Sequence, residues 1–167
     1  MVGLQGSGKS TWVSRHLSGT HTVVSKDHWP RARRREARQR RVVAELLASG
    51  APVVVDNTNP APEDRAALVA AAREAGVPVR AVWIDTPVEA CLARNDAREG
   101  RARVPLQGVF ATRARFVPPT TAEGFDRVDV VPSKLAEWDR LRNRTGALAD
   151  RGTCRRGALA RQWPGRG

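Results

Sequence analysis

The sequence predicts an α/β fold, a three-layer arrangement in which a parallel sheet of about four to five strands carries helices on both faces. Three observations predict it. Short apolar runs at 21–25, 53–55, 79–84 and 127–131 alternate with longer segments of helical apolar spacing, the pattern of successive strand–helix units. A glycine-rich stretch, Gly3-Leu4-Gln5-Gly6-Ser7-Gly8-Lys9-Ser10-Thr11, stands where such a fold turns from a strand into a helix. Acidic residues, Asp27 and Asp56, close two of the apolar runs, at the sheet edge where open α/β folds bind ligands.

The glycine-rich stretch has the spacing G-x-x-x-x-G-K-[ST] of a phosphate-binding loop, or P-loop. Its glycines let the backbone form a concave nest of N–H groups, and the following helix adds its positive end. Gly3, Gly6, Ser7, Gly8, Lys9, Ser10 and Thr11 are therefore the expected nucleotide cradle. Lys9 reaches the β- and γ-phosphates of ATP, and the Ser10 hydroxyl ligands Mg²⁺. Only Met1 and Val2 precede the loop. The first, central strand is thus expected to be a truncated stub, or its remaining residues lie ahead of Met1.

Length and composition fit one domain with a real core. We divide the chain into a P-loop domain at 1–132 and a basic, disordered tail at 133–167. Of the net +12, residues 140–167 supply +7, through eight arginines against Asp150. No apolar run reaches the ~20 residues of a membrane span, so no membrane partner is expected. Two cysteines, Cys91 and Cys154, suggest neither a disulfide framework nor a zinc site, which fits a reducing cytoplasm. The sequence carries no signal for an oligomeric state.

After the loop, apolar spacing predicts a helix over 9–18 with Trp12, Val13 and Leu17 on its buried face. The strand at 21–25 leads to Lys26-Asp27, which the topology sets beside the P-loop. A helix is expected over 31–49, buried through Val42, Val43, Leu46 and Leu47. Its first half is crowded with arginines, Arg31 and Arg34 among them, near the end where the helix dipole disfavours cations. They read equally as a solvated face or as the seat of a polyanionic substrate's phosphates. Val53-Val54-Val55 suits a strand buried on both faces. It ends in Asp56-Asn57-Thr58-Asn59-Pro60, which reads as a second magnesium element or as a helix-capping turn; beside the P-loop, the metal reading is preferred.

Helices are expected over 63–75, from Asp85-Thr86-Pro87 to about 96 and over 107–115, the last with Arg113 aimed inward. Between the last two, residues 94–103 carry four arginines and lose apolar periodicity. Such a segment is either a solvated face or a lid that closes guanidinium groups over a triphosphate.

These residues resemble the kinase domain of polynucleotide 5′-hydroxyl kinases over about 3–131. The resemblance rests on Val55-Asp56-Asn57-Thr58-Asn59-Pro60 followed by Arg65, Ala75-Gly76-Val77-Pro78, Asn95 with Arg98, Val104-Pro105, and Pro119-Thr120 with Ala122-Glu123-Gly124-Phe125. It implies ATP and Mg²⁺ as cofactors and the 5′ end of a nucleic acid as partner. It also implies Asp27 as general base toward the 5′-hydroxyl, Asp56 as the acid holding magnesium, and Arg94 or Arg98, the latter better aligned, as the lid arginine. Lys26 stands where the mammalian members have an arginine, keeping the charge without the bidentate fork. Lys26, Arg31, Arg34 and Asn57 form the expected acceptor side. His28-Trp29-Pro30-Arg31 departs from the family's segment after the base. Two other functions stay open: a small-molecule kinase, or a nucleotide- or nucleic-acid-binding module without catalysis.

Overall fold

The computed structural model describes residues 1–132; the tail expected at 133–167 lies outside the described residues. No described helix is long and apolar enough to cross a membrane.

Helix α1, Lys9–His16, starts from Gly8 in the left-handed region (φ 102°) and buries Trp12 and Val13. Strand β1, Thr22–Val24, runs into a 3-10 turn, Lys26–His28, capped by the Ser25 hydroxyl accepting from the Asp27 N–H at 3.3 Å. Helix α2, Arg35–Ala48, buries Gln39 and Val43. Strand β2, Val53–Val55, precedes helix α3, Pro62–Glu74, whose first turn uses proline where an N–H would lack a partner. Strand β3, Arg80–Asp85, leads to helix α4, Val88–Asp96, which buries Cys91 and Asn95. Helix α5, Leu106–Ala114, and strand β4, Arg127–Pro132, complete the order.

The strands form two parallel pairs, β1 with β2 and β3 with β4. The first residues of the chain stitch them together. The Met1 amine donates to the Val55 carbonyl at 2.8 Å, while Val2 donates to Val82 at 2.8 Å and accepts from Ile84 at 2.9 Å. The order across the sheet is therefore β1, β2, Met1–Gly3, β3, β4, with the residues that lead into the P-loop at its centre. Beside the stub lies a cavity of about 270 Å³ lined by Val53, Val54, Leu68, Val79, Ala81 and Phe125, among others. Val53 and Val55 border it too, and they are half-buried where a strand covered on both faces was expected.

Most boundaries agree with the sequence pattern to within one or two residues. The exception is α2, which begins at Arg35 rather than at 31. Pro30 offers no N–H, and the bonds Trp29 N–H to Lys26 O (3.2 Å) and Ala32 N–H to Trp29 O (3.1 Å) wind this stretch into turns. Arg31 and Arg34 consequently precede the helix. Arg113, expected to point inward, is exposed near the end of α5.

Candidate active site

The P-loop is held from behind by tightly approaching backbone. Gly6 (φ 77°) has no room for a side chain, because a Cβ there would fall on the Cys91 carbonyl of α4. At Gly3 (φ 144°) a Cβ would lie 2.9 Å from the Ile84 carbonyl of β3. The Ser7 carbonyl accepts from the Thr86 hydroxyl (2.9 Å) and from the Arg94 guanidinium (3.2 Å), which also reaches the Gly6 carbonyl (3.3 Å). Gln5 ties the loop to α5 by donating to the Thr112 hydroxyl at 2.8 Å. These anchors commit the Gly6 and Ser7 carbonyls to the protein behind the loop.

Lys9 is buried, with its ammonium donating to the Leu4 carbonyl at 2.7 Å and to the Ser7 hydroxyl at 3.4 Å. Burial pushes its pKa down to about 8, opposed chiefly by the negative charge of Asp56 and more weakly by Asp27; the positive charge of Arg98 adds to the lowering. The same burial lowers the nearby Met1 amine to about 6. A phosphate beside Lys9 would favour its charged form.

In front of the loop lies a second cavity, of about 340 Å³, lined by Ser10, Ser14, Ser25, Asp27, His28 and Asp56 among others. It brings together the expected metal pair, Ser10 and Asp56, and the expected base, Asp27. One carboxylate oxygen of Asp56, Oδ1, is buried and has no hydrogen-bond partner among the described residues. A buried oxygen of this kind needs a cation or an ordered water. A hydroxyl and a carboxylate are the hard oxygen donors that Mg²⁺ takes alongside its waters, so the residues present fit the ion.

Thr11 is exposed on the first turn of α1. Asn57 serves the site from inside the protein: its Oδ1 accepts from the Lys26 N–H (3.0 Å) and its amide donates to Gln39 of α2 (2.6 Å). It thus fixes the turn that carries Asp27. Lys26 forms an ion pair with Glu36. Arg31 and Arg34 are exposed. The two lid candidates separate: Arg94 braces the outside of the P-loop, whereas Arg98 is exposed beyond α4 with its charge still felt at Lys9. Asn95 closes the lid segment on itself, donating to the Val104 carbonyl (2.8 Å) and accepting from the Val104 N–H (3.0 Å).

Several contributing residues were given no role by sequence reasoning. Arg65 is fully buried and forks onto Glu123 through Nε (2.6 Å) and NH2 (2.8 Å). Its NH1 donates to the carbonyls of Asn59 (3.0 Å), Pro60 (3.3 Å) and Val117 (3.0 Å), which secures the loop that follows Asp56. Both residues stood in the motifs, and their signal was a charged pair of opposite sign. Gln39 carried only one signal, a polar residue on the face of α2 that also buries Val43. Thr86 and Cys91 carried none.

A nest around a buried lysine, with a hydroxyl and two carboxylates facing one cavity on a parallel sheet, defines a P-loop nucleotide-binding protein of the kinase type. The comparisons make this specific. A family model described as an AAA domain matches residues 1–119, and the chain belongs to that family. The chain is 29% identical over 138 residues to the bifunctional polynucleotide phosphatase/kinase of Schizosaccharomyces pombe, covering 80% of this chain and 33% of that protein. It is 30% identical over 138 residues to a putative bifunctional polynucleotide phosphatase/kinase of Acanthamoeba polyphaga mimivirus, covering 78% and 32%. The chain thus spans about a third of the length of the curated relatives it matches. Among solved structures it resembles the Mycobacterium tuberculosis APS kinase CysC in complex with AMPPNP and APS, at 21% identity and a TM-score of 0.53 over 87% of this chain and 95% of that one. A sugar kinase from Janibacter sp. HTCC2649 matches at 19% identity and a TM-score of 0.56, covering 85% and 90%. The fold is that of the P-loop kinases, and the resemblance to polynucleotide kinase domains rests on sequence.

Proposed function

We propose that this chain transfers the γ-phosphoryl group of ATP to a hydroxyl, and that the hydroxyl is the 5′-OH of DNA or RNA. The observation that carries the reading is the single cavity onto which Ser10, Asp27 and Asp56 open in front of the P-loop. The relatives whose names include polynucleotide kinase support the choice of acceptor. In the transfer, the acceptor oxygen forms a bond to the γ-phosphorus as the bond from that phosphorus to the β–γ bridging oxygen breaks, and ADP leaves. The Asp27 carboxylate takes the hydroxyl proton. Lys9 and the nest N–H groups hold the phosphates, and Arg98 on the lid neutralises charge on the transferring group. Ser10 and Asp56 would hold Mg²⁺, which supplies further neutralisation of the phosphate oxygens. Asn57 and Ser25 hold the turn of Asp27 in place from below.

Incubation with γ-labelled ATP, Mg²⁺ and a 5′-hydroxyl oligonucleotide tests this. Label is expected on the oligonucleotide, and Asp27→Ala is expected to abolish it. Transfer that is absent, or indifferent to Asp27→Ala, would sink the reading. A second reading, a small-molecule kinase, draws on the fold shared with kinases of small acceptors. Faster turnover on a panel of sugars and metabolites than on any oligonucleotide would favour it. Nucleotide binding without transfer to either would leave a binding module.

A further inference from the structure

We propose that Trp29, backed by Arg38, is a platform on which the nucleobase next to the acceptor hydroxyl stacks, so that the chain takes an unpaired end in preference to a blunt duplex. This rests on the polynucleotide reading above.

The geometry begins at the reacting end of the cavity. His28 lines it together with Asp27, Asp56 and Ser10. The His28 ring stands edge-on to the Trp29 indole, with centroids 6.3 Å apart and planes at 85°. The guanidinium of Arg38, one turn into α2, lies 5.1 Å from the centre of the Trp29 ring. Trp29 therefore sits one aromatic ring away from the residue that lines the site beside the candidate base. The indole is only half-buried, although it is the largest apolar side chain of its turn.

Its surroundings are polar and positive. Arg31, Arg33, Arg34 and Arg35 are exposed on the same stretch; of the two acids that flank it, Asp27 is the candidate base and Glu36 is paired with Lys26. A partly exposed aromatic ring set among arginines matches what single-stranded nucleic acids bind, with stacking for a base and cations for the backbone. The cation on one face of the indole also fixes its plane, so little freedom is lost when a base is added. At a blunt duplex end the terminal base is held in its pair and stacked on its inner side, so seating it on Trp29 costs the fraying of that pair. The preference for an unpaired end follows.

A substrate change tests the idea without disturbing the fold: an oligonucleotide whose 5′ nucleotide lacks its base. With the full chain, the abasic end is expected to raise the KM for oligonucleotide about ten- to a hundredfold, the range of one base–aromatic stack. The KM for ATP should not move. Trp29→Ala is expected to raise the KM for the intact oligonucleotide by the same factor and to make the protein indifferent to the missing base. Trp29→Phe should restore most of the difference. Equal use of abasic and intact ends by the unmodified protein overturns the proposal, as does a Trp29→Ala protein that still discriminates between them. If the protein phosphorylates no oligonucleotide of either kind, the polynucleotide reading itself fails and takes the platform with it.

Discussion

The proposed nucleotide side and the proposed acceptor side of the site are built in different ways. On the nucleotide side, function resides in backbone: Gly3 and Gly6 meet neighbouring carbonyls at contact distance, Ser7 is capped by Thr86 and Arg94, and Lys9 is buried. On the acceptor side it resides in surface side chains, with Asp27, His28 and the arginines ahead of α2 exposed. A backbone cradle tolerates few sequences, because a Cβ in the wrong place displaces it. A surface cluster tolerates many. The same fold can therefore keep its loop while the surface in front of it changes, and solved structures with this fold include an APS kinase and a sugar kinase.

The largest expected effect separates the two sides directly. Asp27→Asn should lower kcat by about 10²–10⁴, the usual worth of a positioned base, with the Kd for ATP unchanged by calorimetry. Lys9→Met should weaken ATP binding as well. If Asp27→Asn lost nucleotide binding too, the two sides would not be separable.

Next comes the clamp beneath the site. Glu123→Gln leaves the Arg65 guanidinium buried without a counter-charge and should cost about 3–5 kcal/mol, read from denaturant unfolding. An equal change at the exposed pair Arg103–Asp96 should cost no more than about 1 kcal/mol.

The titration of Lys9 gives a smaller, signed effect. Its folded pKa, about 8, lies below the usual 10.5, so between these values the unfolded chain binds more protons than the folded one. For this group, stability of the nucleotide-free protein rises with pH through that window. Affinity for a nucleotide triphosphate should do the opposite, falling about tenfold from pH 7 to pH 9 as the ammonium loses its proton. Lys9→Met should flatten both profiles.

The smallest effect compares two arginines. Arg98→Ala should lower kcat with little change in the KM for ATP, as expected of a charge that closes over the transferring group. Arg94→Ala should raise the KM for ATP a few-fold instead, because it loosens the loop without touching phosphate.

The two sides also differ in how far the sequence disclosed them. The P-loop was legible residue by residue, since its spacing is a direct record of backbone geometry. The strand ends at Asp27 and Asp56 were legible too, because period and topology place them. The roles of Asn57 and Arg94 were not. Both are polar residues close to charged groups in sequence, and only the packing of α2 against Asn57 and of α4 against the P-loop brings them to their partners. The start of α2 was missed because seven arginines between 31 and 41 have no apolar period from which to read a boundary, so the turns after Pro30 went unseen. Arg65 and Glu123 stood in the quoted motifs without a function, because a contact between residues 58 positions apart leaves no local pattern.

The clamp also sets a minimum extent for this domain. Arg65 is committed to Glu123 and to the carbonyl of Val117, so the loop that follows Asp56 depends on chain more than fifty residues downstream. A fragment that stopped at residue 119 would keep every group proposed to bind phosphate or accept a proton yet strand a guanidinium in the core. The unit that must be expressed, transplanted or dissected as one piece therefore runs at least through Glu123, past the last residue proposed to take part in the chemistry.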